Sequence, residues 1–134
     1  IVSPFTYMVL DEKDEELVYQ LAKWFHLNFD AYKGVYETAP MMSIDTFREF
    51  LNQCSVPVHR GTIRYLREIG KWTAEDDAWN EAARKLMKRY VDAWTVATAA
   101  ARSRDIKIAK GVKEWEALWA QYSADIPVFK SRIR

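Results

Sequence analysis

From Thr73 onward the sequence keeps one helical register for about thirty residues, and few small folds have room for that. The start is marked by Thr73-Ala74-Glu75-Asp76, which has the form of a capping box. In such a box the Thr73 hydroxyl accepts from a first-turn amide while the Asp76 carboxylate reaches back, Asp being shorter than the usual Glu. Trp79, Ala82, Ala83, Leu86, Met87, Tyr90, Val91, Trp94, Ala97, Thr98 and Ala101 then recur at helical spacing through about Ser103. At 1.5 Å per residue this predicts on the order of 45 Å of helix, longer than a small domain needs. After Gly111, a second periodic set (Val112, Trp115, Leu118, Trp119, Tyr122) runs to Ile126-Pro127. The short link between the helices at 74–103 and 112–124 favours an antiparallel hairpin.

The first half reads as shorter pieces. Pro4 to Leu10 is rich in β-branched and aromatic residues and stops at the acidic run Asp11 to Glu16, which predicts one strand and a turn. A strand needs a partner, and no second one is visible, so pairing with another chain, a missing domain or an irregular segment is expected. Asp14-Glu15-Glu16 opens a helix expected to run to about Tyr32, with Leu17, Leu21, Trp24 and Phe25 on one face and Gly34 as its stop. Ser43 or Asp45 caps a short helix carrying Phe47, Phe50 and Leu51, and Pro57 closes that piece. Gly61 to Ile69 forms the next helix, with Gly70 where a left-handed turn ends it.

Composition narrows the function classes. With 134 residues, 49% apolar and 14% aromatic, the chain can bury a core without disulfides, and Cys54 is its only cysteine. A net charge of +1 argues against a nucleic-acid partner bound through many phosphates. The charge is uneven: residues 1–60 carry −4 and residues 102–134 carry +4. His26 has no second His or Cys one turn away, so no metal site is expected, and no nucleotide, hydrolase or metalloprotease motif is present. We therefore expect no catalytic residue and no cofactor. The chain begins Ile1-Val2-Ser3-Pro4 without a signal-peptide pattern, and no uncharged stretch is long enough to cross a bilayer.

Two constellations stand out. Trp79, Trp94, Trp115 and Trp119 fall on the inner faces of the expected hairpin, where they either pack as core or offer a groove to a partner helix. Ser55 to Tyr65 runs an extended stretch fixed by Pro57 into a helix start bearing His59, Arg60 and Arg64, a place suited to an anion.

At this point the sequence resembles a known family. Pro57-Val58-His59-Arg60-Gly61-Thr62-Ile63-Arg64-Tyr65 is similar to the Pro-x-His-x-Gly-Ala-x-Arg-Tyr-Tyr signature near the end of the TAXI proteins, the solute-binding proteins of TRAP transporters. The likeness spans about residues 3 to 72, with Arg60 where Pro is common and Thr62 where Ala is common. It implies two α/β lobes with a solute in the cleft between them, of which this chain lacks most. The expected fold class is accordingly mainly α: four to five helices, a short N-terminal strand and a long C-terminal helical hairpin, as a fragment of a two-lobed α/β periplasmic binding protein. Residues 1–72 form the TAXI-like C-terminal region, and residues 73–134 a Trp-rich hairpin extension packed on it as one structural unit. The resemblance further implies a periplasmic receptor, not an enzyme, that delivers a small organic acid or amino acid to TRAP membrane permease subunits. His59, Arg60 and Arg64 are then candidates for ligand binding or lobe docking. The alternative is a stand-alone helical interaction module that forms a homo-oligomer through the hairpin and the strand.

Overall fold

The computed structural model describes residues 7–131. Among them are six α-helices and one 3-10 turn, so the protein is mainly helical. The chain divides into two compact units, Ile1–Glu81 with Lys130–Arg134, and Ala82–Phe129.

In the first unit, α1 (Glu15–Leu27) starts where the Asp14 carboxylate accepts from the Leu17 amide at 2.8 Å, with Glu15 and Glu16 in the first turn, where the helix dipole favours negative charge. It stops sooner than the apolar periodicity suggests. Asn28 leaves helical geometry (φ −103°, ψ 12°) while its backbone amide keeps the bond to the Trp24 carbonyl at 3.0 Å and its side-chain amide adds a second at 2.9 Å, so the helix is capped there and Phe29–Tyr32 is a separate turn of helix, α2. The single helix expected to reach Tyr32 is thus two. A 3-10 turn at Ala39–Met42 leads into α3 (Ile44–Leu51), whose cap is Ser43: its hydroxyl accepts from the Thr46 amide at 3.1 Å.

The expected strand is also corrected. Pro4 to Thr6 lie outside the described residues, and Tyr7–Leu10 has no regular structure. A strand is stable only beside another, and no strand occurs among the described residues. Tyr7 instead stacks on Phe25 with ring centroids 4.9 Å apart, and the Lys13 amide closes a turn onto the Leu10 carbonyl.

α4 (Arg60–Glu68) ends at Gly70, which takes the left-handed conformation (φ +69°) that a helix terminus calls for. α5 (Ala74–Ser103) opens on the capping box in full: the Asp76 amide donates to the Thr73 hydroxyl at 3.2 Å, and the Thr73 amide donates back to Asp76 at 2.8 Å. The Asp76 carboxylate is completely buried and also meets Arg48 at 3.3 Å. Leu51, Ile63, Leu66 and Trp72 make the buried core of this unit, with Ile44, Phe47 and Trp79 packed against it. Asn80 binds both backbone groups of Val58, at 2.6 and 3.2 Å, and so fixes the extended stretch ahead of α4.

The second unit pairs the later turns of α5 with α6 (Lys113–Ser123). Ala97 and Ala101, fully buried, leave room for Trp115 and Leu118. The pairing is antiparallel: Trp94 meets Trp115 and Trp119, while Arg89 reaches the Asp125 carbonyl at 2.8 Å. α5 closes through Asp105, a left-handed residue (φ 54°), after which the Ile106 amide returns to the Ala101 carbonyl at 2.9 Å. Asp tolerates that conformation better than most residues with a side chain. No helix among the described residues is long and apolar enough to cross a membrane.

Candidate functional site

The segment from His59 to Tyr65 is held against α1 and the residue just ahead of it by His59, Arg60, Gly61, Arg64 and Tyr65. His59 is 8% exposed and caps α4: Nδ1 accepts from the Gly61 amide at 3.1 Å, while Nε2 donates to the Lys13 carbonyl at 3.1 Å. These partners select the tautomer with its proton on Nε2. Gly61 is the crossing point. A Cβ there would lie 2.5 Å from the Glu15 carbonyl oxygen, 2.8 Å from the Tyr19 nitrogen and 2.9 Å from the Val18 Cβ, so only glycine lets the two backbones come this close.

Beyond Gly61, two rows of side chains at i, i+4 and i+8 face each other. Glu15, Tyr19 and Lys23 lie along α1, and Arg60, Arg64 and Glu68 along α4. Arg60 Nε is 3.3 Å from Glu15, and Arg64 bonds Glu16 at 2.8 Å while its guanidinium lies 3.9 Å from the centre of the Tyr19 ring. The Tyr19 hydroxyl donates to Glu68, and Lys23 donates to both, at 3.1 Å each. The rows rise together along the two helices, and their charges are inverted end for end. The opposite orientation would set Glu15 against Glu68 and Lys23 against Arg60, so the pattern favours helices that run in the same sense.

Proton affinities follow this arrangement. Hydrogen bonds from Gln20, then Arg64, hold the Glu16 carboxyl below the ordinary range, and Tyr19, then Lys23, do the same for Glu68. Lys23 is raised by Tyr19 and Glu68, and Arg64 by Glu16. All are solvent-facing, so each pair contributes little stability alone and the set acts mainly as a register. Beneath them Tyr65 is almost fully buried, its hydroxyl 2.6 Å from His26 Nδ1, and burial pushes its phenol up.

The structure therefore brings His59, Arg60 and Arg64 together at one helix junction, with Arg60 and Arg64 already paired to α1 carboxylates. Among the tryptophans, Trp94, Trp115 and Trp119 form one cluster with centroids 5.3 to 6.3 Å apart, whereas Trp79 packs with the core of the first unit. Sequence reasoning missed Tyr19, Lys23 and Glu68. The matching i, i+4, i+8 rows are the signal that would have found them.

A family model, the NMT1-like family, matches residues 2–70. Neither a curated protein nor a solved structure matches the chain. The matched span takes in α1 to α4 and ends at the Gly70 turn, so it contains every residue of the junction just described. With just over half its length in that match, the chain belongs to the NMT1-like family, a family of periplasmic solute-binding proteins related to those of TRAP transporters and one of binding proteins rather than enzymes.

Proposed function

We propose that this chain is the C-terminal part of a TAXI-type receptor, which in its complete two-lobed form captures a small organic acid or amino acid in the periplasm and hands it to a TRAP-type membrane permease. The observation that carries the reading is the match of residues 2–70 to a solute-binding family, over a segment that includes the His-x-Gly-x-x-Arg-Tyr pattern. Residues 73–134 are an extension beyond the matched span. Affinity arises from closure of two lobes around the solute, so the mechanism is a population shift toward the closed state. His59 and Gly61 anchor the helix start. Arg60 and Arg64, 55% and 46% exposed at the side chain, are the cations available to a solute carboxylate or to the facing lobe. The mass of the native protein in its source cells tests this: a species of about 300 residues or more fits two lobes, and one of 134 residues overturns the reading. In the complete protein, Arg64→Ala should weaken binding of organic acids in calorimetry.

A second reading has one observation in its favour. Leu17, Leu21, Trp24 and Leu27 of α1 are 39 to 67% exposed, which suits an interaction module that self-associates. Sedimentation of the 134-residue chain separates the two, since a module is dimeric with no solute present.

A further inference from the structure

Between α1, the Ala39–Met42 turn, α3 and α4 lies a partly open cavity of about 170 Å³. We propose that it binds a neutral, single-ring aromatic molecule with one oxygen head group, a phenol, and that His26 donates the hydrogen bond that orients it. This site lies within residues 7–66 and does not depend on the solute-receptor reading.

Volume comes first. An apolar protein cavity of about 150 Å³ holds benzene, so the space suits one ring and not two. Its walls are chemically suited as well. Phe25, Phe47 and Phe50 supply ring faces and edges, and Met41 and Met42 supply flexible, polarisable thioethers that adapt to an aromatic guest. No Lys, Arg, Asp or Glu lines it among the described residues. A carboxylate would therefore be desolvated without a cation to meet it, which selects a neutral head over a charged one.

The head group is read by a hydrogen-bonded pair in the wall. Tyr65 is 1% exposed, and its hydroxyl bonds His26 Nδ1 at 2.6 Å. A buried hydroxyl has to donate its proton to an acceptor, and Nδ1 is the acceptor present, so the imidazole proton sits on Nε2. That Nε2–H makes no hydrogen bond among the described residues. The Ser43 hydroxyl, also on the wall, is already committed to Thr46 through two bonds of 2.8 and 3.1 Å. The Tyr7 and Thr62 hydroxyls also reach the wall, and His26 differs from them in that its free N–H is set by a buried partner, which makes it the donor assigned to a guest oxygen.

The test uses the full 134-residue chain with ¹³C-labelled methionine methyls, titrated separately with phenol, toluene and benzoate. Phenol should shift the Met41 and Met42 signals by ring current and leave Met87, in the other unit, unmoved. It should bind about threefold to tenfold tighter than toluene, the worth of one net hydrogen bond, and tighter than benzoate. His26→Phe should reduce phenol to the affinity of toluene while toluene itself still binds, which also shows that the variant is folded. Ala22→Leu, which fills the cavity from α1, should abolish both. Equal shifts at Met87, no saturable shift at Met41 and Met42, equal affinity for phenol and toluene, or benzoate binding more tightly than phenol would each overturn the proposal.

Discussion

The two helix pairs of this protein reach close packing by opposite means. α1 and α4 touch backbone to backbone because Gly61 has no side chain, and complementary rows of charge from Glu15–Arg60 to Lys23–Glu68 fix their register. α5 and α6 are instead kept apart by indole rings, with Trp115 and Leu118 filling the space that Ala97 and Ala101 leave on the facing helix. The first pair is specified by geometry and has no slack. The second is specified by apolar volume and bears its load on a few large groups. This difference also separates what can be changed cheaply in each. A methyl group is a large perturbation where two backbones meet and a small one among tryptophans.

The largest expected effect is Trp115→Ala. The indole is 7% exposed and contacts both Trp94 and Trp119, so its removal should cost about 3–5 kcal/mol of the hairpin's stability. Hydrogen exchange should show loss of protection at Ala97–Ala101 and unchanged protection in α4. Equal loss in both would mean that the two pairs do not differ as described. Next comes Gly61→Ala, where the added Cβ meets backbone atoms of α1 that cannot turn away. Overpacking of this kind should cost about 2–3 kcal/mol in urea unfolding and spare the hairpin. A neutral result there would remove the claim that the junction has no slack. Thr73→Ala, which deletes the α5 cap, should cost about 1 kcal/mol, because one first-turn amide loses its acceptor.

Local signals made much of this architecture legible in advance. The Thr73 and Ser43 caps, the long register of α5 and the turn at Gly70 all depend on residues within a few positions of one another. What escaped the sequence depends on partners far along the chain or on competition between near-equal options. The Tyr19–Glu68 bond joins residues 49 positions apart. Gly61 reads as a helix residue of poor propensity until α1 is seen against it. Asn28 sits in good periodicity, yet its backbone leaves helical geometry and both its backbone and side-chain amides cap the Trp24 carbonyl, where the expected helix ends. The Tyr7–Leu10 segment has the composition of a strand and no partner strand among the described residues to make it one. His59 was legible as part of an anion-suited helix start, but not as the residue that itself occupies the Gly61 amide.

The smallest effect is the one that most sharpens the contrast, because only the α1–α4 pair should respond to acid below the ordinary carboxylate range. Glu68 is held below the ordinary carboxylate range by the Tyr19 hydroxyl and then by Lys23, and Glu16 by Gln20 and then Arg64. The folded state therefore binds these protons less readily than the unfolded chain does. Their contribution is complete above the ordinary carboxylate range and is lost as pH falls through the lowered folded values. Lys23 works in the opposite direction: raised by Tyr19 and Glu68, its contribution is present below the ordinary lysine range and lost as pH rises through its folded value. The hairpin's aromatic cluster has no such dependence, since indoles do not titrate in water. Hydrogen exchange followed from neutral pH into the acid range should thus show α4 loosening ahead of Ala97–Ala101. Glu68→Gln should flatten most of that difference, because a neutral amide still accepts from Tyr19 but no longer attracts Lys23. If the variant loosens with acid as the parent does, the charged rows are ornaments on a junction that Gly61 alone defines.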